Sequence, residues 1–400
     1  MTSAGAAEAE VNAGRDGDGE LDRFARQRII PGWDQGRLAA ATAVVVGVGA
    51  LGNEVAKNLA LAGTGRLVLC DPDVVSVSNL SRTVLFGQAD VGTPKAVAAA
   101  AALRRLAPSV RTEPRVADLV SGVGLGELAD ADLVISCVDT RRARVQLLGR
   151  CSLADAVLID GGTSPSGAEL RLRVSADEPC FGCTLSAHQR SVSDLPWSCA
   201  EPLPDELPQA SAIASTAVAA GWLCAAVFGL LFGVVPSWRV LSIDIDDGRA
   251  GPVAITRDPR CPLHRPLDGP VTWMDASAEA SVAEFLAGLA DSDEAWIWNS
   301  FALPVRCNRC AYVPLLAGEL APSAVFPCPR CGTVLRQARS TRLRDADPAT
   351  TLAELGVAPE EILPGMTAAG ELTCRRLRAA TSAGSDGRAM IFPLDGQGGS

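Results

Sequence analysis

The chain has 400 residues, 48% hydrophobic and 20% charged, which suits roughly two to three domains with a sizeable core and excludes wholesale disorder. Its net charge of −10 excludes a protein that coats nucleic acid, because phosphate binding needs a basic face. Only Lys57 and Lys95 are lysines and only His188 and His264 are histidines, so the position of each is informative.

Residues 1–20 are rich in Ala, Gly and acids, with no basic or apolar leader pattern, and read as a disordered tail. With 13 cysteines, an odd number, metal and thiol chemistry in the cytoplasm fits better than a disulfide lattice. A short amphipathic segment over 21–38 carries Arg23, Arg26 and Arg28. Residues 43–46 are apolar and β-branched, too short for a helix, and predict a buried strand. Gly47-Val-Gly49-Ala-Leu-Gly52 follows at once and opens a helix over 51–63. Glycines there let the backbone approach a phosphate, while the helix N-terminus offers free N–H donors.

A second strand, 66–70, ends at Asp71, placed to accept hydrogen bonds from ribose hydroxyls. This much says nucleotide and does not separate NAD, FAD or ATP. The next stretch does: Asp73, Asn79 and Arg82 follow closely, and Lys95 starts an alanine-rich helix over 95–106. Cations behind the ribose acid suit a triphosphate whose α-phosphorus is attacked, since charge gathers on its oxygens; a dehydrogenase has no use for them. A third strand at 133–137 is followed by Asp139, a ligand for Mg²⁺ or a cap on the next helix. A fourth strand spans 157–160, and 168–174 alternates in polarity, so the sheet is expected to turn antiparallel and half exposed there.

Cys180-x-x-Cys183 and Cys261-x-x-His264 form two chelating pairs suited to a structural, tetrahedral Zn²⁺ site. Between them, residues 217–235 hold no charge and are long enough to cross a bilayer. Basic flanks are missing on the N-terminal side and there is no second span, so a helix buried on all sides is expected and no membrane contact. Residues 271–300 read as a helical linker, with a helix over 277–290. Cys307, Cys310, Cys328 and Cys331 have zinc-ribbon spacing within 301–340, and 341–400 reads as a small C-terminal segment with a short helix at 351–356 and a flexible tail. The expected fold is α/β, a Rossmann-like, mostly parallel sheet with helices on both faces over 21–270, a structural zinc site and a small C-terminal zinc ribbon.

Taken in order, GVGALGNEVAKNLALAG, D-x-D-x-V-x-x-S-N-L-x-R, G-x-P-K and CVD-x-x-x-x-R over about residues 22–266 resemble the ThiF/MoeB/HesA-like adenylyltransferases that activate sulfur-carrier proteins and ubiquitin. The resemblance implies that Asp71 binds ribose, that Arg26, Asn79, Arg82 and Lys95 bind phosphates, and that Asp139 holds Mg²⁺. It implies a homodimer in which Arg26, in Phe24-Ala-Arg26-Gln27, reaches the neighbouring ATP. Its partner would be a small β-grasp carrier ending in Gly-Gly, or else a precursor peptide. Cys199, in Ser198-Cys-Ala-Glu201, is then a thiol that takes the activated carrier, or a plain buried thiol. Two departures stand out: Thr83 where the family commonly has Gln, and His264 where it usually has Cys. A catalytically inactive nucleotide-binding scaffold and a Rossmann oxidoreductase are the competing readings.

Overall fold

Short apolar runs separated by glycine-rich turns build the centre of the molecule. The computed structural model describes residues 22–186, 189–190, 212–314 and 325–379; the expected tail at 1–20, His188 and Cys199 lie outside these. Strands β1 (Thr42–Val46), β2 (Arg66–Cys70), β3 (Arg111–Arg115), β4 (Leu133–Ser136) and β5 (Leu158–Ser164) pair in parallel, and β6 (Gly167–Arg173), β7 (Val240–Asp244) and β8 (Arg249–Val253) extend the sheet antiparallel. The order is β3-β2-β1-β4-β5-β6-β7-β8. Its helices are α1 (Ala25–Arg28), α2 (Gln35–Ala40), α3 (Ala50–Ala62), α4 (Lys95–Leu106), α5 (Leu119–Gly122), α6 (Leu125–Asp130), α7 (Arg141–Leu153) and α8 (Ile213–Leu231).

Alternation along the strands divides the core in two. Val45, Leu67, Leu69, Leu133, Ile135 and Ile159 face α3, α4 and α8, whereas Val44, Val46, Val68, Val134 and Leu158 face α5, α6 and α7. This is the Rossmann-like arrangement expected.

One strand goes unannounced by the sequence and two local expectations fail. Strand β3, RTEPR, carries no apolar signal; it forms because it is the outer strand, where Pro114 is tolerated and Arg66 Nε donates to Glu113 Oε1 at 3.0 Å. Strand β6 does turn antiparallel but is not half exposed: Arg171 and Arg173 are each 2% exposed, because Asp160 and Asp155 pair with them at 2.8 and 2.9 Å. Helix α8 is buried on one side only, with Ala219, Leu223 and Val227 in the core and Trp222 exposed.

The larger departure lies beyond residue 270. The expected linker at 271–300 contains β9 (Val271–Trp273), the six-residue helix α9 (Val282–Ala287) and β10 (Glu294–Ala302). Together with β13 (Arg339–Arg342), β14 (Ile362–Met366) and β15 (Leu372–Arg376), these strands form a second sheet of order β13-β10-β14-β15-β9. Phe285, Ile297, Phe301, Leu352 and Leu363 make its core. Residues 351–356 form a turn, not a helix. Between β10 and β13 the chain leaves the sheet for the four-cysteine unit, whose hairpin is β11 (Val325–Pro327) and β12 (Val334–Arg336).

The second sheet is locked to the first domain by a buried carboxylate. Glu361, 1% exposed, accepts from Arg150 Nη2 at 2.7 Å and from the Leu125 N–H at 3.0 Å, so it caps the start of α6 as well. Gly124 and Gly126 lie so close to the Pro359–Glu361 backbone that a Cβ on either would collide with it. Replacing Glu361 by Ala leaves Arg150 buried without its anion and is expected to cost about 3–5 kcal/mol in urea denaturation, whereas the double change Arg150→Met with Glu361→Leu restores most of that loss.

Candidate functional site

The cavity at the C-terminal edge of the parallel strands has a volume of about 770 Å³. Gly47, Gly49, Asp71, Asp73, Asn79, Arg82, Lys95 and Asp139, eight of the residues singled out from sequence, line it together. This is the edge at which open parallel sheets bind ligands, where the strand order reverses around β1.

Backbone geometry explains the glycine spacing. Gly47 has φ +87°, and a Cβ there would lie 2.6 Å from the Cys137 carbonyl oxygen. A Cβ on Gly52 would lie 2.0 Å from the Gly47 carbonyl oxygen, so Gly52 serves the tight packing of the turn and does not reach the cavity wall. At Gly49 nothing lies within 4 Å of a Cβ position; its backbone borders open space. Asn53, fully buried, donates to the carbonyls of Val48 and Gly49 at 2.8 and 3.1 Å and accepts from the Leu85 N–H at 3.0 Å, tying the glycine turn to the segment after Arg82.

Asp71 accepts from the Val48 N–H at 2.7 Å and the Asp73 N–H at 2.9 Å. Burial pushes its carboxyl above the usual carboxylate range, against the pull of Lys95 and of those two donors. Lys95 Nζ donates to Asp73 at 2.7 Å. Asn79 accepts from the Ser76 N–H at 3.0 Å, and Arg82 donates to the Ser78 carbonyl at 2.7 Å, so both side chains also hold their own loop. Thr83 turns inward and donates to the Asn79 carbonyl at 2.9 Å.

Asp139 stands exposed at the rim, and the loop bearing it is fixed from below. Arg144 donates to the Val138 carbonyl at 2.6 Å, to the Gly161 carbonyl at 2.9 Å and to Asp160 at 2.5 Å. Asp160 also accepts from Ser136 at 2.6 Å and Arg171 at 2.8 Å. Burial opposes ionisation of Asp160, yet the two guanidiniums and the hydroxyl outweigh it and hold its carboxyl below the usual range. The Arg171 guanidinium lies 4.7 Å above the Phe181 ring, within the Cys180–Cys183 knuckle. The role of Arg144, visible in sequence only as a motif arginine, depends on two strands meeting.

That knuckle meets Cys261 and His264. Cys180 and Cys183 Sγ atoms are 3.9 Å apart and lie 3.3 and 3.0 Å from His264 Nε2, spacings that suit a tetrahedral cation. His264 Nδ1 lies 2.9 Å from the Ala176 carbonyl, which leaves Nε2 as the ligand atom, and burial pushes the imidazole pKa below its ordinary value. In the ribbon, Cys307–Cys331 and Cys310–Cys328 Sγ atoms are 3.6 and 3.7 Å apart. The residue after each pair, Ala311 at φ +56° and Gly332 at φ +71°, takes the left-handed turn that wraps the knuckle. Soft thiolates with at most one imidazole fit Zn²⁺ at both places.

Arg26 is not in the cavity. Phe24 packs on Gly63 at the far end of α3 from the glycine turn, and Arg26 is exposed beside it. Purified protein is expected to hold two zinc ions per chain by elemental analysis; Cys183→Ser should leave one, and His264→Cys should keep both.

The ThiF family model matches residues 22–263. "Adenylyltransferase and sulfurtransferase MOCS3" of Bos taurus is 39% identical over 169 residues, 42% of this chain and 37% of that protein. The chain thus spans little more than a third of the length of its MOCS3 relatives. "Sulfur carrier protein adenylyltransferase" of Thermus thermophilus is 32% identical over 255 residues, 61% of this chain and 90% of that protein. The crystal structure of E. coli MccB with MccA-N7isoASN has the same fold, with a TM-score of 0.51 at 22% identity, covering 62% of this chain and 77% of that one. With ordered motifs, a parallel sheet and a matching family model over the same residues, the chain belongs to the ThiF family.

Proposed function

We propose that this chain is an ATP-dependent adenylyltransferase that activates the C-terminal carboxylate of a small β-grasp carrier ending in Gly-Gly. The observation that carries this reading is the gathering of Asp71, Asn79, Arg82, Lys95 and Asp139 with the glycine turn around one cavity of nucleotide size. The names of the bovine and Thermus relatives support it.

In this mechanism Asp71 accepts hydrogen bonds from the ribose hydroxyls, and the N–H groups at the start of α3 face the phosphates. Arg82 and Lys95 neutralise charge as it gathers on the phosphoryl oxygens, and the Asn79 amide donates a hydrogen bond to them. Asp139 is a hard oxygen donor at the rim and would hold Mg²⁺, which supplies further neutralisation when bound. The attacking carboxylate is already ionised at neutral pH, so no general base is needed: one oxygen forms the bond to the α-phosphorus and pyrophosphate leaves. Cys199, outside the described residues, is the candidate acceptor of the activated acyl group, with a sulfur donor as the other route.

Arg26 completes the site from a second copy of the chain. Helix α3 has 13 residues, so it holds Arg26 roughly 20 Å from its own glycine turn. The exposed apolar residues Ile29, Ile30, Val218 and Trp222 are suited to cover in a homodimer. Both zinc groups serve folding and docking, and residues 271–379 serve as the module that presents the substrate.

ATP–pyrophosphate exchange in the presence of Gly-Gly carriers from the same genome is expected, with Asp139→Ala lowering it on the order of 100-fold or more. Exchange that responds instead to a short peptide would move the substrate to a precursor peptide; MgATP binding without exchange would leave a scaffold. Mixing Arg26→Ala with Asp139→Ala subunits should restore about a quarter of the wild-type rate, because half the dimers then carry one intact site.

A further inference from the structure

One wall of the nucleotide cavity comes from outside the family domain. Asn299 lines the cavity, yet it lies on β10 of the second sheet, beyond the residues 22–263 that the family model matches. We infer that Asn299, delivered by the C-terminal domain, reads the nucleobase of ATP and helps the enzyme choose adenine over guanine. This inference rests on the adenylyltransferase reading.

The layout of the cavity places the base. A nucleotide runs in line from base to ribose to phosphates. Along the strand ends, the glycine turn after β1 meets phosphates and Asp71 after β2 meets ribose, so the base must lie past Asp71 on the side away from β1. The next strand there is β3, and the cavity continues to Ala117, Asp118 and Leu119 just beyond its end. Asn299 is at this end of the cavity, since its side chain bonds to Ser121, in the helix that follows.

The local structure is built to hold that amide. The pairing of β10 with β13 shifts register between Trp296 and Phe301, so Asn299 lies in an irregular stretch outside the regular ladder of these two strands. Asn299 Nδ2 donates to Ser121 Oγ at 3.2 Å, and Ser121 Oγ donates to Asp118 at 2.9 Å; Asp118 in turn accepts from the Val120 and Ser121 N–H groups. This chain of bonds orients the amide and uses one of its four hydrogen-bonding positions, which leaves one N–H donor and both lone pairs of the carbonyl oxygen for a ligand. A donor beside an acceptor on one planar group is the complement of adenine's amino group and its neighbouring ring nitrogen. Guanine reverses that order on its corresponding edge. The buried Arg150–Glu361 pair holds the second sheet at the distance this contact requires.

The test is equilibrium binding of MgATP and of MgGTP to the full-length protein by calorimetry, for wild type, Asn299→Ala and Ser121→Ala. Wild type should prefer ATP. Asn299→Ala should weaken ATP roughly tenfold and GTP far less, so the preference shrinks, and Ser121→Ala should shift it the same way by a smaller factor. Zinc content and melting temperature identify any variant that fails to fold, and Ser121→Ala then carries the measurement. If Asn299→Ala leaves ATP binding unchanged, or weakens ATP and GTP by equal factors, the assignment is wrong and Asn299 only packs the domains together. If wild type binds neither nucleotide, the adenylyltransferase reading fails with it, an outcome distinct from a wild type that binds ATP with no help from Asn299.

Discussion

A carboxylate placed inside a sheet must be neutralised where it stands, and in this protein that carboxylate is Asp160. Two guanidiniums and a hydroxyl hold it, from β4, β6 and α7. Because each partner reaches Asp160 from a different element, the ends of β4 and β5 are fixed against each other. The same Arg144 fork carries the Val138 carbonyl, so the loop that bears Asp139 is set by the pair. The same Arg171 lies on Phe181, so the first zinc knuckle is set as well. Removing Asp160 leaves two buried guanidiniums without their shared carboxylate, a far larger penalty than loss of an exposed ion pair. The loop of Asp139 and the Cys180–Cys183 knuckle therefore hang from one electrostatic centre.

Elsewhere, metal stands in for apolar core. Among its described residues the ribbon has only Val305, Cys307, Cys328 and Leu335 as a buried cluster, too few to fold on burial alone. Four cysteines arranged to hold one cation would supply what those residues lack. The ribbon's position follows from sheet geometry: it is carried between two strands, β10 and β13, that pair at its base. A unit mounted on that hairpin stays registered to β10, and so to the cavity that Asn299 reaches.

Legibility in the sequence depended on the range of the interaction. The strands that sit at the centre of the parallel sheet are apolar on both faces and declare themselves in four or five residues, as TAVVV and RLVLC do. The glycine turn declares itself because close backbone approach tolerates nothing larger at Gly47 and Gly52. Cysteine pairs declare themselves because chelation needs a fixed local spacing. By contrast RTEPR looks like loop, and becomes a strand only because β2 offers it an edge and Glu113 finds Arg66. Residues 168–174 look half exposed because alternate positions are charged, and the two arginines among them are buried by carboxylates supplied from elsewhere. The segment 271–300 looks like a linker because its strands pair with partners such as β14 and β15, more than sixty residues further on.

The sequence by itself determined the family, the parallel sheet, the set of residues from Gly47 to Asp139 that lines the cavity and the two clusters that could hold metal, because each is written in short-range patterns. Only the tertiary structure decided that Arg26 stands away from its own cavity, that Arg144 holds the Asp139 loop, and that Asn299 joins the cavity wall. Those three outcomes depend on where whole elements dock, through Gly63, Asp160 and Glu361 respectively. Docking of that kind rests on contacts between residues too far apart in the chain for any local pattern to record.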